Sequence, residues 1–334
     1  MTKQLAKQSL LAVALVALGA VVSVYAGLLF GGATIPLPFS DPGPVVRWGS
    51  PITKLVMNLS MAVTVGTLVF SAYAANKQER DELRPVAAWS AALWLTSGAA
   101  YFILTYLSAS GTQISFGPEF SEGLWLFATE IELGTLLAWN LVFAMILSLS
   151  TIALNSQLWV ALNAALAIAA LYPLAESGHA SSDVGHAVAV NSMLMHLVGI
   201  SVWLGGLFAL YAVFFSSSER SGELTRRYST LALISFIVVS ISGLTAGYVR
   251  LYEPSDLFTQ YGLMLVGKAV LLVALGAFGA RHRAILAGKF AEKSKGFWRL
   301  AAFELVVMGL AFGLGTALAK TATPVSDAEF VPPT

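Results

Sequence analysis

Long apolar runs, each broken off by a short polar or Pro/Gly-rich stretch, set the pattern of this chain. A basic lead with Lys3 and Lys7 precedes the first run, Ser9 to Phe30, which is long enough to cross about 30 Å of hydrocarbon. Val24-Tyr25-Ala26 has the small-residue look of a signal-peptidase site, but apolar character continues to Phe30 and favours an uncleaved span. Gly31 to Ser50, with Pro36, Pro38, Pro42 and Pro44, reads as an extended surface loop. Further spans are predicted at Pro51–Ala75, Pro85–Ser108, Ala128–Leu149, Leu158–Ala175 and Ala187–Phe215, then up to Val249, and at Gly262–Ala280 and Phe297–Ala319. Pro85 is expected to open its helix, where a missing N–H costs little. The pattern predicts an all-α integral membrane protein, a polytopic bundle of about nine transmembrane helices forming a single domain over 1–334, with no internal repeat.

Composition agrees: 57% of the 334 residues are hydrophobic and 11% charged. There is no cysteine, which excludes disulfides and thiolate metal sites, so a soft metal must use His or Met. The basic residues of the N-terminal lead, of Asn76–Arg84, of the charged loop Ser216–Arg227 and of Arg281–Lys295 with Arg299 fall on one face. Arg47, Lys54, Arg250 and Lys320 fall on the other, and Lys268 within a span. By the positive-inside rule the N-terminus is cytoplasmic, and nine spans put the C-terminus outside the bacterial plasma membrane. Most acids lie on the outer face, where they would concentrate cations. Nothing points to a nucleic-acid surface; the lipid bilayer is the expected partner.

Candidate chemistry gathers between Ser177 and Leu207, which hold three of the four histidines. His179 and His186 sit in a polar connector on the outer side, and His196 lies about ten residues into the apolar helix that follows, roughly 14 Å deep. Ionisable groups at such depth mark a pathway or a ligand site, and imidazole with thioether suits copper(I). Met193 is seven residues from His186 and three from His196, on one helical face, with Met195 beside it. Met57 and Met61, an i,i+4 pair, fall in the same half-membrane, as does Met264; together these methionines would line an access route, or are ordinary packing material. His282, set among arginines at the inner end of its span, reads as a solvated surface residue.

H-L-V-G-I-S-V-W-L-G-G-L from His196, R-Y-S-T-L-A-L from Arg227 with S-G-L-T-A-G after it, Y-G-L-M-L-V-G-K-A from Tyr261 and F-W-R-L-A-A-F-E-L from Phe297 form an ordered series. It resembles the membrane domain of the copper resistance protein D (CopD) family over residues 179–319, while the first half matches only as hydrophobic spans. The resemblance implies an inner-membrane protein that moves copper into the cytoplasm, often beside an extracytoplasmic CopC-like copper carrier; Cu(I) as the cargo rests on the imidazole and thioether donors instead. No enzymatic activity is expected.

Other polar groups within spans remain. Lys268 and Glu304 differ by about 10 Å in depth, which makes a direct ion pair a poor fit. Lys268 has Glu130 and Glu132 within reach as outer alternatives, leaving Glu304 to find a protonated or hydrogen-bonded state of its own. Each serves either structure or a transport path. Trp203, with Gly205 and Gly206, is packing or a narrow gate, and the G-x-x-x-G spacings at Gly243–Gly247 and Gly309–Gly313 predict close helix contacts. Gly262 to Lys268 copies the spacing of a phosphate-binding loop, but Ala269 replaces its Ser or Thr and no strand precedes it, so no nucleotide is expected. The alternative function is a haem-bearing, cytochrome b-like electron-transfer subunit. Bis-histidine haem requires paired intramembrane histidines, and the sequence reading places only His196 there.

Overall fold

Capping chemistry moves several helix starts away from the hydropathy edges. In the computed structural model, which describes residues 3–36, 41–153, 156–178, 186–214, 220–251, 253–287 and 290–324, the second helix begins at Pro44 rather than Pro51. Pro44 supplies the N1 position and Pro51 lies inside the helix. The third begins at Lys77: Asn76 accepts from the Glu79 amide (2.9 Å), and Glu79 Oε2 accepts from the Asn76 amide (2.7 Å). This capping box makes Asn76–Arg84, the polar segment between two expected spans, the cap and first turns of a helix. Pro85 is therefore interior to that helix, not its opening residue.

The helices are α1 (Lys3–Phe30), α2 (Pro44–Tyr73), α3 (Lys77–Ser110), α4 (Pro118–Thr129), α5 (Glu132–Ala153), α6 (Gln157–Ala169), α7 (Tyr172–Glu176), α8 (His186–Val213), α9 (Ser221–Arg250), α10 (Gln260–Ala287) and α11 (Phe290–Leu318). Among the described residues these supply nine stretches long and apolar enough to cross a membrane, with α6 and α7 together making one. No sheet occurs among the described residues. The break between α6 and α7 precedes Pro173, which has no N–H for the helix ladder. There Asn140 Nδ2 donates to the Ala170 carbonyl (2.9 Å) while its Oδ1 accepts from Trp94 Nε1 (3.0 Å).

Helices α2 and α8 lie at the centre. α2 packs against α3 and α8, α8 against α9, and α1 runs along α11, which also meets α10. Three apolar clusters fill the spaces, while Leu18, Val21, Ile241 and Val273 point outward, as lipid-facing chains do. Glycine makes the closest crossings possible. A Cβ on Gly309 would meet the Val16 carbonyl and one on Gly313 the Ala20 carbonyl, so this pair joins α1 to α11 as its spacing predicts. Gly243 differs: a Cβ there would be 3.9 Å from His196 Cε1, leaving room instead of backbone contact.

Gly205 and Gly66 set the α2–α8 crossing, where a Cβ on Gly205 would strike the Ala62 carbonyl oxygen. Gly205→Val is expected to force the two central helices apart and remove most of the monodisperse protein seen by size-exclusion chromatography. Gly222→Ala, which has open space around it, is the neutral control.

Candidate functional site

The first half of α8 turns His196 toward α9. His196 Nδ1 lies 3.1 Å from Ser242 Oγ, and that hydroxyl donates to the Val238 carbonyl at 2.7 Å. With its single hydrogen so committed, Ser242 accepts from Nδ1–H, and the Val239 backbone carbonyl beside it also accepts from the ring; an Nδ1–H tautomer places the lone pair on Nε2. One turn earlier Ser192 Oγ donates to the Ser242 carbonyl (2.9 Å), pinning the same two helices. Lys268 and Arg250 lie close enough for their charges to act on the His196 ring. Lys268 points at α11, where a Cβ on Gly315 would be 3.4 Å from its Nζ.

The other sequence candidates divide around this point. His186 is the first residue of α8, and Met193 is half-buried; His179 lies outside the described residues. Met195, 55% exposed, is turned away from the bundle interior. Met57 and Met61 are buried in the cluster shared by α2, α3 and α5, against which Leu194, Leu197 and Val198 of α8 pack, whereas His196 faces α9. Met264 packs in a third cluster near α1 and α11. The structure therefore does not gather the methionines around His196. Glu130 caps the end of α4 and Glu132 begins α5, both exposed, and neither forms an ion pair with Lys268 among the described residues. Among those residues no group of three or more His, Asp or Glu side chains is placed to hold a metal.

A second polar centre lies two turns further along α8. Trp203 Nε1 donates to Glu304 Oε1 (3.2 Å), and His282 Nδ1 lies 3.0 Å from Glu304 Oε2. Tyr228 OH donates to the Trp203 carbonyl (3.1 Å), and Phe236 meets the indole edge to face at 5.8 Å. Glu304 is 2% exposed and His282 7%, so His282 is not the solvated surface residue its arginine neighbours suggest. Helix rotation explains the difference. Arg281 and Arg283 are exposed on α10, while His282 continues the line of Lys268 and Leu275 at seven-residue intervals into the bundle. That interval was the signal available in the sequence. Beside the pair is a cavity of about 190 Å³ lined by Trp203, Tyr228, Phe236, Leu275, His282 and Glu304 among others.

This architecture defines a multi-pass α-helical membrane protein with ionisable side chains buried along the seam between α8, α9, α10 and α11. The chain belongs to the copper resistance protein D family: the family's model (Copper resistance protein D) matches residues 222–318, and that of its N-terminal domain (Copper resistance protein D-like, N-terminal domain) matches 45–189. The first half thus carries more of the family pattern than its hydrophobic spans alone suggest, and most of α8 falls between the two matched segments. The copper transport protein CutJ of Bacillus subtilis (strain 168) is 31% identical over 112 residues, 32% of this chain and 21% of that protein. The chain therefore aligns with about a fifth of that relative's length. The inner membrane protein YebZ of Escherichia coli (strain K12) is 22% identical over 66% of this chain and 81% of its own. No solved structure matches.

Proposed function

We propose that this protein carries copper as Cu(I) across the bacterial plasma membrane into the cytoplasm, in copper homeostasis or resistance, with His196 as the deepest ligand on the outer side. The observation that carries the reading is the His196 ring, held by Ser242 in the tautomer that leaves Nε2 open inside an apolar helix bundle. His179, His186 and Met193 serve as earlier stations, ahead of His196 along the chain. The nearby Lys268 ammonium opposes a cation at Nε2 and keeps binding weak, which suits a site that must release what it binds. Family membership and the likeness to the copper transport protein CutJ support copper as the cargo. A CopC-like carrier delivering copper at the outer face completes the scheme. Time-resolved copper uptake into vesicles of known orientation tests it; uptake no faster than in vesicles lacking the protein would end it.

The import direction rests on a cytoplasmic N-terminus and an extracytoplasmic C-terminus. The native chain has no cysteine, so single probes report without background. Ser115→Cys, in the exposed turn before α4, is expected to react with an impermeant maleimide from outside, and Gln78→Cys, exposed at the start of α3, only after the membrane is opened. The reverse pattern would invert the direction.

A further inference from the structure

We propose that His282 and Glu304 form a second cation site, on the inner half of the same seam, that accepts Cu(I) after His196; this rests on the transport reading above. A carboxylate 2% exposed within a membrane helix is costly to maintain and by default marks a functional position. Here it converges with an imidazole from a neighbouring helix, Nδ1 to Oε2 at 3.0 Å, and both side chains line the cavity of about 190 Å³. That space gives the two donors room to part and admit an ion, with the proton on Nδ1 passing to the other ring nitrogen so that Nδ1 and Oε2 both face the cation. Imidazole is a ligand for copper, and copper(I) accepts near-linear coordination by a pair of donors.

Charge selects the ion. The site supplies one carboxylate, and a monovalent cation leaves the buried group neutral, whereas a divalent ion adds a charge that the apolar surroundings penalise. The other charged group at the cavity, Arg283, directs Nη2 to the Ser229 carbonyl (2.9 Å) at the exposed rim. Tyr228 spends its hydroxyl hydrogen on the Trp203 carbonyl. Trp203 holds Glu304 Oε1, which fixes the carboxylate while Oε2 faces His282, and its ring lines the cavity where a cation gains from the indole face. Trp203 also connects the sites. It lies seven residues after His196 on one face of α8, about 10 Å deeper, so an ion leaving Nε2 along this face meets the indole and then the pair.

The test is anaerobic Cu(I) titration of the full-length purified protein against a chromogenic Cu(I) chelator. Glu304→Gln and His282→Gln are each expected to bind one equivalent fewer than wild type, while His196→Ala keeps that equivalent. His282→Gln preserves the Trp203–Glu304 bond and serves if Glu304→Gln fails to insert. Zinc is expected not to occupy the site. Unchanged stoichiometry in a folded inner-site variant, or displacement of the inner copper by zinc, would overturn the proposal. Vesicle uptake separates the two readings: loss of the equivalent in a protein that moves no copper keeps the site and ends transport, whereas uptake with unchanged stoichiometry ends the site and keeps transport.

Discussion

His196→Ala is expected to abolish copper uptake even at high external copper, while the protein still inserts and runs as a monodisperse species. At a membrane surface water substitutes for a lost imidazole, and His186 begins α8, so His186→Ala and His179→Ala are expected only to raise the copper concentration needed. Deeper in, Leu194, Leu197 and Val198 pack the opposite side of α8, and the groups that bond the ring, the Ser242 hydroxyl and the Val239 backbone, offer only hard oxygen donors in place of the lost imidazole. Ser242→Ala is the intermediate case. It keeps the imidazole but removes the partner that fixes its tautomer, and loss of such a partner typically costs about 10–100-fold in metal affinity. Radioactive copper uptake into oriented vesicles, normalised to inserted protein, reads all four variants. Full uptake by inserted His196→Ala would return this histidine to helix packing.

The second large effect is on stability. Glu79 is 1% exposed, and its Oε2 lies 2.6 Å from Arg220 Nη1, tying the start of α3 to the start of α9. The same carboxylate closes the Asn76 capping box. Glu79→Ala therefore removes one of the two bonds of the capping box and one side of a largely buried ion pair. Breaking such a pair costs about 3–5 kcal/mol. Arg220 is 31% exposed and keeps Glu223 at 3.1 Å, so a loss of about 3 kcal/mol is expected, read as a lower denaturation midpoint in detergent. Glu79→Gln, which retains the shape but not the charge, should lose less. Equal midpoints for wild type and Glu79→Ala would show that α3 and α9 are held by apolar packing alone.

Much of the outline was legible because hydropathy is a local property. Residue 30 ends α1 in both the sequence and the structure, and each expected run overlaps a membrane-length helix, although Ala128–Leu149 begins in α4 and crosses a break into α5, and Leu158–Ala175 is divided between α6 and α7. The ends shifted where side chains decide them. Asn76 and Glu79 begin a helix in the charged stretch between two expected spans, and Gly117 with Pro118 starts α4 in the interval between the expected spans that end at Ser108 and begin at Ala128. Gly309 and Gly313 revealed a helix crossing by their spacing, but the same spacing at Gly243 left space beside His196.

The amino-acid sequence by itself determined that this is a helical membrane protein of the copper resistance D type and that His196, Lys268 and Glu304 lie within its spans. Such conclusions need only the hydropathy and order of residues along one segment. The tertiary structure alone decided which groups meet. His196 is set against Ser242, the methionines are divided among separate clusters, and Glu304 is held between Trp203 and His282. Each contact depends on the rotation of one helix about its axis and on its lateral neighbour. Moving one residue along a helix turns the side chain by about 100° at nearly unchanged depth, so residues of similar hydropathy environment can face lipid, a packed cluster or the seam. That rotation placed Arg281 and Arg283 outside and His282 against a buried carboxylate.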